Sequence, residues 1–151
     1  MKIFLAGIIQ GSMVEPRIHD QDWRDAIKKV LTRHLASAEV YCHYSQHPRS
    51  IVYDLPRLKA TLEEGNRRAA ECDLLVAYLP EASMGTAIEM HEAAAHGAVV
   101  LTISPLGANW VVRAYSDRVF PEIEGLEAFL SSGQVPSLLS QKAALRAQRR
   151  P

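Results

Sequence analysis

Three short, almost unbroken apolar runs, Lys2–Ile9, Asp73–Leu79 and Val99–Ile103, punctuate the chain and are separated by stretches with helical spacing. A strand that is apolar at every position, rather than at alternate ones, is buried on both faces, and parallel sheets covered by helices on each side demand that pattern. Between the first two runs, Asp22–Ala36 carries Trp23, Ala26, Ile27, Val30, Leu31 and Leu35 on one side and Arg24, Asp25, Lys28 and Lys29 on the other. That spacing predicts an amphipathic helix. Ala38–Tyr44 reads as a further strand, Leu58–Glu71 as a helix, and Thr86–His96 as a helix closed by Gly97. A weaker fifth strand is placed around Arg118–Phe120, followed by a helix over Ile123–Ser131. The alternation predicts a single α/β domain, a parallel five-stranded sheet between two helical layers.

Composition narrows the function without naming it. The 151 residues suit one domain, expected over residues 1–133, with a helical or flexible basic tail over residues 134–151. That tail holds Lys142, Arg146, Arg149 and Arg150 and reads either as a solvated helix end or as a helix that docks a partner. Lys and Arg number 17 against 17 Asp and Glu, which argues against a nucleic-acid polymer or an anionic membrane as partner. None of the apolar runs approaches the ~20 residues of a membrane span. The start does not read as a signal peptide, and Cys42 and Cys72 form no CxxC pair, so reduced thiols and a cytoplasmic location are expected.

In parallel sheets of this kind ligands bind beyond the carboxyl ends of the strands. Four connections therefore matter: Gly7–Arg17, Ser45–Pro56, Pro80–Gly85 and Ser104–Ser116. The most informative stretch runs from Asp73 through Ser83 and Gly85 to Thr86-Ala87-Ile88-Glu89. A helix opening at Thr86 would carry Glu89 in its first turn, where the unpaired N–H groups hold a carboxylate ionised. Such a carboxylate can stabilise or attack a cationic sugar carbon. The competing reading is a capping box, with Glu89 returning to the Thr86 N–H; spacing alone favours the cap.

Other motifs are weaker. His91 and His96 are five apart, which turns their rings roughly 140° away from one another, so they do not form a zinc pair. The loop Gly7-Ile8-Ile9-Gln10-Gly11-Ser12 fits neither dinucleotide nor P-loop fingerprints. It is either a tight turn or a glycine-bearing loop whose N–H groups, with the Ser12 hydroxyl, approach a sugar or phosphate. The run from His43 to Arg49 either covers a ligand or is a polar surface loop. No GxSxG is present, so a hydrolase triad has no support.

Taken together, Lys2–Gly7, Asp73, Gly85-Thr86-Ala87-Ile88-Glu89, the Ala-rich Glu92–Ala95, Gly97 and Val99–Ile103 resemble the nucleoside 2-deoxyribosyltransferase family and the related 2′-deoxynucleoside 5′-monophosphate N-glycosidases. The resemblance implies a flavodoxin-like fold over about residues 1–130 and a small-molecule nucleoside or nucleotide substrate, with no metal or organic cofactor. It makes Glu89 the nucleophile that takes the sugar at C1′, and Gly7, Ile9, Gly11, Ser12, Asp73, Gly85 and Thr86 parts of the substrate site. Ser83, six residues before Glu89, stands where the monophosphate glycosidases place a phosphate-contacting serine. Ser116 and Asp117 stand where the family completes a neighbour's site, which implies a homodimer or larger homo-oligomer.

The same resemblance exposes a departure. The family carries an Asp eight residues before the strand-opening Asp, where it helps protonate the departing base; here that residue is Gly65, flanked by Glu63 and Glu64. Leaving-group protonation is typically worth ~10²–10⁴-fold. Glu64, shifted by one residue, is therefore the expected acid/base. The alternative is a non-catalytic nucleotide-binding module that keeps the cleft without the acid.

Overall fold

A computed structural model gives the protein's structure and describes residues 1–148. The apolar runs form the strands β1 (Lys2–Gly7), β3 (Leu74–Tyr78) and β4 (Val99–Ile103), joined by β2 (Glu39–Cys42) and β5 (Arg118–Phe120). All pair in parallel, in the order β2-β1-β3-β4-β5. Successive residues face opposite layers, which is why the runs had to be apolar throughout. Ile3, Leu5, Leu74, Val76, Val99 and Leu101 pack with α1 (Trp23–His34) and α6 (Ile123–Ser131). Phe4, Ala6, Leu75, Ala77 and Val100 pack with α3 (Leu55–Glu71), α4 (Met84–Ala95) and α5 (Trp110–Tyr115). The predicted five-stranded parallel sheet between helical layers is thus observed.

Differences from the sequence reading lie where side chains cap helices. α3 begins three residues earlier than its apolar spacing indicates, because the Asp54 carboxylate accepts the Arg57 N–H at 3.0 Å and Pro56 suits the first turn. The connector after β2 is folded too: His43–Gln46 makes one helical turn (α2) and Ser50–Val52 a 3₁₀ turn. α5 was not anticipated, and Asn109 caps it by accepting the N–H groups of Val111 and Val112 at 2.9 and 3.3 Å. The basic tail is not simply a solvated end. α7 (Val135–Gln148) buries Val135 and packs Leu138 and Leu139 on the core, and Lys142 Nζ lies 2.8 Å from Asp117 Oδ1. Arg149 and Arg150 lie outside the described residues. Among those described, no helix is long and apolar enough to cross a membrane.

The chain leaves β1 toward β2 on one side and continues from β3 toward β5 on the other. Connections diverge at the boundary between β1 and β3, and a crevice opens there beyond the strands' carboxyl ends.

Candidate active-site cleft

A cleft of about 270 Å³ occupies that crevice. The loop after β1 contributes Gly7, Ile9, Gln10 and Gly11, and the head of α4 contributes Ser83, Met84, Gly85, Thr86 and Glu89. The third wall comes from the folded connector, with His43, Ile51 and Tyr53, and from Thr61 and Leu62 of α3. Gly7 is required by close approach: an ideal Cβ there would fall 2.3 Å from Trp23 Cη2 and 2.9 Å from the Tyr78 carbonyl oxygen. Trp23 in turn stacks on Tyr78, with ring centroids 4.6 Å apart. Glu81 steadies the loop, accepting the Ser12 N–H at 3.2 Å and lying 3.0 Å from His19 Nε2.

Ser83, not Thr86, caps α4. Its hydroxyl accepts the Thr86 N–H at 3.5 Å and lies 3.0 Å from the Thr86 hydroxyl. The capping box expected between Thr86 and Glu89 is therefore not formed. Glu89 falls in the second turn, beyond the reach of the helix-terminal charge, and its carboxyl joins the cleft wall. Only partly accessible there and surrounded by protein, the carboxyl is pushed up to about 8 by desolvation, which the charge of Arg24 only partly offsets. Glu89 is accordingly not held ionised, contrary to the sequence expectation: burial outweighs the helix terminus.

Arg24 is the buried charge beneath this site, 3% exposed. Its guanidinium donates to the carbonyls of Gly7 and Leu5 at 3.2 and 3.5 Å, to Gln21 Oε1 at 2.6 Å and to Cys42 Sγ at 3.4 Å. Burial lowers its pKa. Burial pushes the Cys42 thiol up, but the hydrogen bond with Ser45 and the Arg24 charge more than reverse this, leaving it below its ordinary value.

His43 follows directly on β2 and lines the cleft. Its Nδ1 lies 3.0 Å from the Tyr41 hydroxyl, and its ring 4.9 Å from that of His47. Burial, reinforced by His47, drives it down to about 4 against the opposing pull of Glu64, so the imidazole is neutral at pH 7. The sequence left His43 open between a ligand-covering run and a polar surface loop; its position at the carboxyl end of the Ala38–Tyr44 strand candidate was the signal for the former.

The remaining predicted residues are distributed as follows. Gly7, Ile9, Gly11, Ser83, Gly85, Thr86 and Glu89 come together around the cleft. Ser12 is exposed beside it. Glu64 is outside the lining, 3.5 Å from His47 Nε2 and 3.7 Å from Arg68 Nη2, and Glu63 is exposed. Asp73 opens β3 at the opposite, amino edge of the sheet and accepts the Lys2 N–H at 2.7 Å. Ser116 and Asp117 precede β5 at that same edge; Ser116 bonds Thr102 at 2.7 Å, and Asp117 accepts the Val100 N–H at 2.9 Å. Among the described residues, no His, Cys, Asp and Glu cluster is arranged to hold a metal ion.

No family model matches the chain, and no curated protein matches it by sequence. Solved structures do. A 2-deoxyribosyltransferase from Bacillus psychrosaccharolyticus superposes with a TM-score of 0.61 at 16% identity, covering 86% of this chain and 96% of that one. A conserved protein from Enterococcus faecalis V583 gives 0.59 at 18% identity, covering 87% and 98%. A CMP N-glycosidase from Clostridium botulinum gives 0.52 at 18% identity, also covering 87% and 98%. The chain thus has the α/β fold seen in nucleoside 2-deoxyribosyltransferase-like structures.

Proposed function

We propose that the protein cleaves or transfers the N-glycosidic bond of a (deoxy)nucleoside or nucleoside 5′-monophosphate, with Glu89 as nucleophile. One observation carries this reading: a single carboxyl group, Glu89, lies in the cleft wall between the glycine-bearing loop after β1 and the head of α4. A glycosyl-enzyme forms when a Glu89 oxygen bonds C1′ and the C1′–N bond breaks; water or a second base then attacks C1′. The Met84 and Gly85 N–H groups in the first turn of α4, beside Ser83, suit a 5′-phosphate, because they combine donors outside the helix ladder with a partial positive charge. Gly7, Ile9 and Gly11 offer backbone close to the sugar. Ile51, Tyr53 and Leu62 supply an apolar and aromatic wall suited to a base.

The fold shared with a 2-deoxyribosyltransferase and a CMP N-glycosidase agrees with this chemistry. A second copy of the chain is the proposed cover for the open side of the cleft. Leu62 and Met84 line it yet remain exposed, as do Ile88 and Trp110 on the neighbouring helices. Incubation with a panel of nucleosides and 5′-monophosphates, followed by chromatography of free base, tests the reading. Base release that disappears in Glu89→Ala is expected; no release, or release indifferent to that substitution, overturns it.

Gly65, together with the engagement of Glu64 by His47 and Arg68, favours a second reading: a nucleotide-binding module without turnover. That reading requires thermal stabilisation by the same ligands with no base released.

A further inference from the structure

Cleavage of an N-glycosidic bond needs a proton for the departing base, and α3 presents none to the cleft at Gly65. This glycine is buried in the middle of α3, facing both other groups of interest. An ideal Cβ on it would lie 3.3 Å from His43 Cε1, 3.4 Å from His43 Nδ1 and 3.5 Å from Glu89 Oε1. The imidazole therefore fills the room a side chain at 65 would take, and a Glu89 oxygen borders the same point. The Tyr41 hydroxyl meets Nδ1 of that ring; with Nδ1–H donating to the Tyr41 oxygen, Nε2 is the nitrogen open to accept and release a proton.

We propose that His43, seated over Gly65, carries the proton of Glu89 to the departing base and returns one from the attacking water. This rests on the glycosidase reading given above. In the first step a Glu89 oxygen bonds C1′, and the Glu89 proton passes through His43 to the base nitrogen that takes the C1′–N electron pair. In the second, the water oxygen bonds C1′, the C1′–O pair returns to the Glu89 carboxylate, and a water proton travels back through His43. Atoms and charge balance with water as the only co-reactant. The resting charges agree: desolvation favours a protonated Glu89 and a neutral His43 at pH 7, so the pair is uncharged and its transferable proton starts on Glu89. The charged and titratable groups around this pair are Arg24 from α1, Tyr41 from β2, His47 after α2, and Glu64 and Arg68 from α3. Of these, Arg24 opposes the rise at Glu89 and Glu64 opposes the fall at His43.

The test compares ordinary purine nucleosides and 5′-monophosphates with their N7-methylated counterparts, whose cationic base departs without an added proton. His43→Gln is expected to lose ~10²–10⁴-fold in kcat/KM on ordinary substrates at pH 7 and less than about tenfold on methylated ones at pH 9, where Glu89 is ionised and has no proton to pass on. In the wild type, kcat/KM on ordinary substrates is expected to hold from pH 5 to 8 and to fall above, as Glu89 loses the proton it must supply. A carboxylate acting without that proton gives the opposite limb, rising toward pH 8. The pH limb also decides the matter should methylated substrates be refused. As a rescue, His43→Ala/Gly65→Asp, which exchanges the ring for a carboxyl group, should regain activity on ordinary substrates that His43→Ala lacks. A loss on methylated substrates at pH 9 as large as that on ordinary ones at pH 7, no loss in His43→Gln, or a rate rising to pH 8 overturns the role of His43 and leaves the glycosidase reading intact. Absence of base release by the wild type overturns both.

Discussion

Gly65 on α3 faces Glu89 on α4 so closely that a Cβ on the first would lie 3.5 Å from Oε1 of the second. The two helices meet at this point because one of them lacks a side chain, and the ring of His43 settles in the remaining space at 3.3 Å. Two opposing effects act on Gly65→Ala. A glycine in a helix interior costs about 0.5–1 kcal/mol relative to alanine, so the substitution favours α3. The new methyl also crowds His43 and Glu89. Stability should change by less than about 1 kcal/mol, whereas Gly65→Val, with two further carbons, should lose about 1–3 kcal/mol by overpacking. Urea denaturation of both variants measures this, and a valine variant as stable as the wild type would disprove the crowding.

The carboxyl of Glu89 makes stability depend on pH in a direction opposite to most carboxylates. Its folded value is about 8, well above the ~4.3 of an unfolded chain. Below pH 4 both states are protonated and its contribution is complete. Between about 4.3 and 8 the unfolded chain releases the proton while the folded protein retains it, so folding stability falls as pH rises. The slope from this group alone is at most about 1.4 kcal/mol per pH unit and vanishes above the folded value. Glu89→Gln carries no such proton. The wild type should therefore lose stability relative to Glu89→Gln on going from pH 5 to 8. Denaturant midpoints at pH 5, 6, 7 and 8 test the sign; a constant difference between the two proteins rules it out.

The sheet was legible in the sequence because burial on both faces leaves an unmistakable imprint: β1, β3 and β4 can be apolar at every position only inside two helical layers. The head of α4 was legible only in part. Thr86-x-x-Glu89 has the spacing of a cap, but Ser83 outcompetes Thr86 for that position, and this releases Glu89 into the cleft. Desolvation of Glu89 and His43 depends on atoms brought from α1, β2 and α3, so no local pattern announces it. Asp73 and Asp117, which the family resemblance marks as site residues, tie backbone N–H groups at the amino edge of the sheet in this chain. Carboxylates that serve the ladder and carboxylates that serve a cleft carry the same letter; only the end of the strand on which they sit separates them.

Arg24 supports the cleft from below, and its loss should be felt in two measurements. Arg24→Met removes the guanidinium that lies 4.2 Å over the Trp23 ring and leaves the carbonyls of Leu5 and Gly7 without that donor. A buried acceptor left unpaired costs about 1–3 kcal/mol, so a destabilisation of that order is expected in urea. Removing the positive charge also removes the influence that opposes the rise at Glu89. The pH window over which stability declines should then extend above 8. A variant that is destabilised but keeps the wild-type window would mean that Arg24 is structural alone.

The Asp117–Lys142 pair joins the start of β5 to α7, and its two partners should differ in worth. Asp117 is the more buried, its side chain 16% exposed against 25% for Lys142, and it has two duties. One carboxylate oxygen accepts the Val100 N–H at 2.9 Å, fixing the β4 ladder, and the other meets Lys142 Nζ at 2.8 Å. Asp117→Ala leaves a backbone donor of β4 unpaired and should cost about 1–3 kcal/mol. Lys142→Met removes only a partly screened ion pair and should cost no more than about 1 kcal/mol, less at high salt. Denaturation of both single variants and of the double variant, at low and high salt, separates the two duties. The Asp117→Ala loss should persist in 1 M salt while the Lys142→Met loss fades, and a Lys142→Met variant as destabilised as Asp117→Ala would show instead that anchoring α7, not completing the ladder, is what Asp117 contributes.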